Sequence, residues 1–186
     1  MKKIIFMRHS EPDYSLVEAR GYIGHGIDLA PLTENGIQIA EYASLDGRLN
    51  DAEIIVSSPY TRALQTAAII SKNRRINIKV ELDLHEWMPD LSFHYSSNEE
   101  ARKANRLCIE HKGVCPDDSE IKYENLESVF NRAKNALLRY SSYKKIIVVT
   151  HGIVMRRFVF KTDIPFCGIS EIDFDESFLC TEFQTY

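Results

Sequence analysis

The sequence predicts a three-layer α/β/α sandwich built on a mostly parallel central sheet. Three observations predict it. Short apolar runs, Ile4-Ile5-Phe6-Met7, Ile54-Ile55-Val56 and Ile146-Ile147-Val148-Val149, are bounded by polar breaks and read as buried strands. Stretches of helical period separate these runs, so strand and helix alternate along the chain. Two of the runs also stop at a histidine, in Arg8-His9 and in Thr150-His151. Ligands bind at the carboxyl ends of strands in open parallel sheets, so two histidines delivered to one edge predict a site.

After the first strand, residues 12–30 read as a loop punctuated by Gly21, Gly24 and Gly26. Thr33 reads as a helix N-cap with Glu34 favourable in the first turn. Ile37, Ala40, Ser44, Leu45 and Leu49 then continue at near-helical spacing. The second strand is Glu53-Ile54-Ile55-Val56-Ser57. Ser58 fits an N-cap and Pro59 the first helical position, opening a helix that carries Arg62 about one turn in and runs through Ile70.

Ile76, Ile78, Val80 and Leu82 alternate with polar residues and predict a third strand. If that period persists, Glu86 shares a face with Leu82 and His85 points the other way. From about 88 to 123 the pattern weakens at Pro89, Gly113 and Pro116. This stretch is expected to be a lid-like insertion over the sheet edge, with a helix from 98 to about 110. Leu126, Val129, Phe130, Ala133, Leu137 and Tyr140 mark a strong helix before the fourth strand. Another helix opens near His151-Gly152 and runs to about Phe160, and the tail from 171 to 183 is expected to form an edge hairpin. With no internal repeat, residues 1–186 are expected to form one domain.

Composition narrows the function. At 186 residues the chain can bury roughly two-thirds of its unfolded surface. A net charge of -4 gives no general attraction to nucleic acid or to anionic membranes, so any anion site must be local. No apolar run is long enough to span a bilayer, and the run after Met1-Lys2-Lys3 is too short for a signal peptide. Cys108, Cys115, Cys167 and Cys180 form no C-x-x-C pair and are expected to be free thiols in the cytoplasm. Cys108, His111 and Cys115 supply only three ligands at unorthodox spacing, so no metal site is expected.

Arg8, His9, Arg62, Glu86 and His151 each fall at a strand's carboxyl end or in the following first turn. Two guanidinium forks suit bidentate capture of a phosphoryl group, and helix-start amides after Ser58 and His151 can add donors. A neutral histidine is a competent nucleophile toward phosphorus, and a nearby carboxylic acid can protonate the leaving oxygen. Such a set is sufficient for phosphoryl transfer with neither metal nor other cofactor.

At these residues the chain resembles the histidine phosphatase superfamily, also called phosphoglycerate-mutase-like. The resemblance rests on Arg8-His9-Ser10-Glu11, on Pro31-Leu32-Thr33-Glu34-Asn35-Gly36, on Ser57 to Ala67 with Arg62 inside it, and on Val149-Thr150-His151-Gly152. Glu124-Asn125-Leu126 with Val129 and Arg132 is similar to the family's helix before the last core strand. The resemblance implies that His9 is the nucleophile, that Arg8, Arg62 and His151 bind the phosphoryl oxygens, and that Glu86 is the general acid and base. It also implies a phosphate contact at Ser15, where many members carry asparagine. Ser10 departs from the usual glycine, and Trp87-Met88-Pro89-Asp90 from the usual continuation after the acid.

The main expectation is a small phosphomonoester hydrolase acting on a small phosphorylated substrate, with a phosphoprotein as a further possibility. The alternatives are a phosphoglycerate mutase using the same residues, a non-catalytic phosphate-ligand binding protein, and a metallohydrolase using His9 and His151. Family likeness leaves monomer and homodimer both open. Arg8 and Arg62 beside His9 are expected to favour its neutral form, and a bound phosphate to raise the Glu86 pKa, giving a mildly acidic to neutral optimum.

Overall fold

A computed structural model of the chain describes residues 1–180. Its strands are β1 (Lys2–Arg8), β2 (Ile54–Ser57), β3 (Ile78–Val80), β4 (Lys145–Thr150) and β5 (Ile169–Phe174). Its helices are α1 (Ser15–Ala19), α2 (Glu34–Ala43), α3 (Thr61–Arg74), α4 (Asn98–Glu110), α5 (Leu126–Leu138) and α6 (Gly152–Met155). The strands form one sheet in the order β3-β2-β4-β1-β5, parallel except for β5, which runs antiparallel to β1. This is the α/β sandwich the sequence predicts.

Successive strand side chains point to opposite faces, and both faces are covered. Ile4, Phe6, Ile54, Val56, Ile146 and Val148 pack with Val129, Phe130, Ala133 and Leu137 of α5 and with Val154 and Met155 of α6. Ile5, Met7, Ile55, Ile147 and Val149 pack on the other face with Ala40 of α2 and Ala63, Ala67 and Ile70 of α3. Double-sided burial explains why the central strands are continuous apolar runs rather than alternating ones. Each fully buried Leu, Ile or Val side chain is worth about 1.5–3 kcal/mol. Ala104, Cys108 and Tyr123 from the 88–123 stretch join the α5 face, so that segment is packed into the core.

Several boundaries differ from the sequence reading. Residues 12–30 contain α1 and a 3-10 stretch, Gly24–Leu29, rather than only a loop. Thr33 does cap α2, accepting the Gly36 N–H, but the helix stops at Ala43, and Leu49 reaches the core from a separate 3-10 turn while Leu45 stays exposed. α3 begins at Thr61 with Tyr60 as its N-cap, while the Ser58 hydroxyl bonds both His151 Nε2 and the Tyr60 N–H ahead of the helix. The alternation of β3 ends at Val80; a 3-10 turn, Leu82–Leu84, exposes Leu82 and buries Leu84, so the face shared by Leu82 and Glu86 does not arise. α6 ends at Met155, where Phe158 and Val159 both donate N–H to the Met155 carbonyl and the chain leaves the helical path. The tail supplies a single edge strand paired to β1 rather than a hairpin, and positions 181–183 lie outside the described residues.

Candidate active site

Strand register brings the site together. β1 and β4 are neighbours with Arg8 opposite Thr150, and the His9 N–H donates to the Thr150 carbonyl at 2.8 Å. The next residue of each strand is a histidine, so the His9 and His151 rings stand 5.1 Å apart, centroid to centroid. The Ser58 N–H donates to the Val149 carbonyl at 2.9 Å, which ties the end of β2 to the same edge. Arg62 enters from the first turn of α3, and Glu86 follows the 3-10 turn after β3.

The turn after β1 is held by the Pro31-to-Gly36 block. Thr33 N–H donates to the Glu11 carbonyl at 3.0 Å, and the Thr33 hydroxyl and Asn35 amide donate to the Glu11 carboxylate at 2.6 and 2.9 Å. Ser10 is fully buried, donates its hydroxyl to the Gly36 carbonyl at 2.6 Å and its N–H to the Thr66 hydroxyl at 2.9 Å. Among the described residues Ser10 is not one with a positive φ, so serine is unstrained there. A side chain at position 36 would sit 2.4 Å from the Glu11 carbonyl oxygen, which is why glycine occupies it.

His9 is buried and donates Nδ1–H to the Ser10 carbonyl at 2.7 Å, leaving the Nε2 lone pair toward Arg62, whose Nε lies 3.3 Å away. Burial is the largest influence holding the His9 pKa well below the usual histidine value, and Arg62 and Arg8 push the same way. The sequence reading credited the arginines; desolvation outweighs them. His151 is likewise held neutral, first by burial, then by Arg62 and His9. The Glu86 carboxyl is raised by burial, against the Trp87 N–H bond at 2.8 Å and the Arg62 charge.

Arg62 is oriented by Asp28 at 2.9 Å and stacks 4.9 Å over the Tyr60 ring. Arg8 donates Nη1–H to the Ile164 carbonyl at 2.6 Å and lies 4.6 Å over the Phe166 ring. Arg8 Nε and His151 Nδ1 are buried without a hydrogen-bond partner. Buried polar groups are ordinarily paired, so two orphans beside His9 fit a site shaped for an anion. Two of the amides near the helix starts are occupied: Tyr60 N–H by the Ser58 hydroxyl at 3.3 Å, and Ile153 N–H by Glu86 at 3.5 Å.

Arg8, His9, Arg62, Glu86 and His151 are therefore brought together. Ser15 is not: it is exposed on α1, and its neighbour Tyr14 lines the cleft instead. Sequence reasoning missed Tyr14, Asp28 and Tyr60, and treated His25 as a plain loop residue although it lines the cleft 3.2 Å from Asp28. Tyr60, inside the Ser57-to-Ala67 block, had a positional signal; Tyr14 and His25 had none.

The model of the histidine phosphatase superfamily (branch 1) matches residues 4–174. The chain belongs to that superfamily. A 2,3-bisphosphoglycerate-dependent phosphoglycerate mutase of Thermoplasma acidophilum is 38% identical over 71 residues, a stretch covering 38% of this chain and 34% of that relative. The chain thus spans about a third of the curated relative it matches. Among solved structures, a mycobacterial glucosyl-3-phosphoglycerate phosphatase in complex with VO3 superposes with TM-score 0.70 at 14% identity, covering 93% of this chain and 91% of that one. A putative alpha-ribazole-5'-P phosphatase from Escherichia coli superposes with TM-score 0.66 at 20% identity, covering 99% and 96%. At such identities the two structures establish the superfamily's fold for this chain. Among the described residues no helix is long and apolar enough to cross a membrane.

Proposed function

We propose that this superfamily member is a phosphomonoester hydrolase working through a phosphohistidine on His9, with no metal in the chemical step. The observation that carries the reading is His9 itself: buried, neutral, its Nδ1 proton fixed on Ser10, its Nε2 lone pair facing the cleft side chain Arg62, whose Nε–H it accepts at 3.3 Å and would exchange for phosphorus. Nε2 attacks phosphorus as the bond to the leaving oxygen breaks, and Glu86 gives its proton to that oxygen. Glu86, now a carboxylate, takes a proton from water as the water oxygen attacks phosphorus. The P–Nε2 bond then breaks and inorganic phosphate leaves. Arg8, Arg62 and the orphaned Nδ1–H of His151 stabilise the charge on the phosphoryl oxygens throughout. The 88–123 stretch, which lines the cleft through Met88, Asp90, Phe93 and Tyr95, acts as its lid. The free state of all four cysteines supports a cytoplasmic setting.

The mutase of Thermoplasma acidophilum supports a second reading, in which the same phosphohistidine returns its phosphoryl group to a retained intermediate. Intact-protein mass spectrometry after an acid-free quench with an aryl phosphate tests the common step. Wild type is expected to show a transient added phosphoryl mass together with aryl alcohol release, and His9→Ala neither. Equal turnover by both proteins would overturn the reading.

A further inference from the structure

The lining of the cleft bears on which phosphate esters fit, an inference that rests on the hydrolase reading above. The cavity beside the nucleophile measures ≈ 150 Å³, small against the roughly 300–1,000 Å³ of sites that enclose drug-sized ligands. Tyr14, His25, Tyr60, Trp87, Phe93 and Tyr95 put rings into its lining, and ring contacts continue from there past the lining to His151 and His9. Phe93 stands 4.5 Å from His25, His25 5.9 Å from Tyr60, Tyr60 5.1 Å from His151, and His151 5.1 Å from His9, centroid to centroid. A continuous series of rings therefore leads from the 88–123 segment to the nucleophile, with Tyr14 and Tyr95 on the flanks.

The charges along this lining are as informative. Asp28, Arg62, Glu86 and Asp90 contribute to it, while among the described residues no lysine and no arginine besides Arg62 does. Arg62 is already paired to Asp28, at 2.9 Å. Asp90 is fixed by the N–H groups of Ser92 and His94, at 2.8 and 2.9 Å. A leaving group carrying a carboxylate or a second phosphate would lose its water beside Asp90 and find no unspent cation.

The roof is fixed as well. Gly24, at φ +53, donates its N–H to the Tyr95 carbonyl at 2.8 Å, and a side chain there would lie 2.1 Å from the Phe93 carbonyl oxygen. Phe93 adopts φ 60, a conformation that bulky residues hold only when their surroundings impose it. The Asn98 side chain ties the start of α4 to Glu18 on α1 at 2.8 Å. Two loops from opposite sides of the cleft are thus fastened together above it, which limits the height of what enters.

We propose that the substrate is the monophosphate of a small, flat, ring-bearing alcohol without a second acidic group. The test is a matched pair, 4-methylphenyl phosphate against 4-carboxyphenyl phosphate, with glycerol phosphate as the acyclic reference. The carboxylated phenol is the better leaving group, so the expected preference runs against intrinsic reactivity. Wild type is expected to favour the methyl ester in kcat/KM by roughly tenfold or more. Phe93→Leu, which keeps apolar bulk and removes the ring, is expected to lower the aryl-to-glycerol phosphate ratio. Tyr95→Lys is expected to narrow the gap between the two aryl esters. Turnover that depends on His9 yet treats the aryl pair alike, or favours the carboxylated ester, overturns this inference and leaves the hydrolase reading standing. Absence of any His9-dependent turnover overturns both. Should a variant fold poorly, the wild-type ratio alone decides.

Discussion

The hydroxyl of Ser58 lies 2.7 Å from Nε2 of His151, and the same oxygen accepts the N–H of Tyr60 at 3.3 Å. Among the described contacts of that hydroxyl Nε2 is the one acceptor for its proton, so the hydroxyl proton is assigned to the bond with Nε2. The imidazole proton then sits on Nδ1, the atom left unpartnered beside the nucleophile. Ser58 therefore sets the tautomer of a residue proposed to bind the phosphoryl group. Ser58→Ala is expected to weaken transition-state binding by about 1–2 kcal/mol, or roughly 5–30-fold in kcat/KM. Steady-state kinetics with thermal melting as the fold control measure it; an unchanged kcat/KM would exclude the role.

Arg132 holds the segment that carries Glu86, the proposed acid. Its guanidinium donates to the carbonyls of Asp83, His85 and Glu86 at 2.6, 2.8 and 3.2 Å, and its other edge is gripped by Glu124 at 2.7 and 3.0 Å. Glu124 also accepts the Met88 N–H at 3.2 Å and the Trp87 indole N–H at 2.6 Å, through its carboxylate and its carbonyl respectively. Loosening this clamp misplaces the carboxyl without touching the nucleophile. Arg132→Lys is expected to slow alkyl esters, which need a proton on the leaving oxygen, by up to about 10²-fold. A nitrophenyl ester, which does not need it, should lose much less. Equal losses on both esters would point to general damage.

The pH profile follows from two groups pushed in useful directions. Burial lowers His9, so its neutral form persists below the ordinary histidine range, and burial raises Glu86, so its proton persists above the ordinary carboxylate range. The kcat/KM for an alkyl phosphate is expected to peak at mildly acidic to neutral pH and to fall as Glu86 loses its proton. Glu86→Gln should lose far more rate on an alkyl ester than on a nitrophenyl ester, whose wild-type profile should lack that alkaline fall. A wild-type rate still rising above about pH 9 would remove Glu86 as the acid.

The same burial has a thermodynamic cost at low pH. His9 and His151 bind protons in the unfolded chain near the ordinary histidine pKa, but in the folded chain only well below it. Between those limits the unfolded state holds more protons, so stability is fully present above the ordinary histidine range and falls as pH drops through it. Urea midpoints are expected to decline on acidification in wild type and to decline less in His9→Gln. A midpoint as high at pH 5 as at pH 7.5, at constant slope, would contradict the assignment of two neutral buried histidines.

Where burial on both faces dictated the residues, the sequence was easy to read. Ile4 to Met7 and Ile146 to Val149 have no polar side to confuse their period, and the abrupt change at His9 and His151 located the reacting edge. Arg62 was legible from its block, although its helix starts at Thr61, two residues beyond the expected Pro59, and the Ser58 hydroxyl bonds a histidine 93 residues away as well as the Tyr60 N–H. Glu86 was anticipated at the right position by a partly wrong route: the strand period that was to orient it ends at Val80 and a 3-10 turn delivers it. Ser15 failed for a local reason, since α1 turns it outward and the neighbouring tyrosine inward. Trp87 and Tyr95 could be named from the sequence as candidates for contact over the site, but Tyr14, His25 and Phe93 could not, because their meeting depends on backbone contacts such as Gly24 to Tyr95.

The position of β4 between β2 and β1 carries a consequence for biogenesis. Until residues 145–150 leave the ribosome, the two strands that flank them have no ladder to join them, and neither pocket-forming histidine has its neighbour. A nascent chain lacking this last parallel strand is left with two separated edges and without His151 beside His9. Long-range pairing of this kind is gained late and slowly. Until then the β1 and β2 edges that β4 will cover are the places where a chaperone would have most to protect.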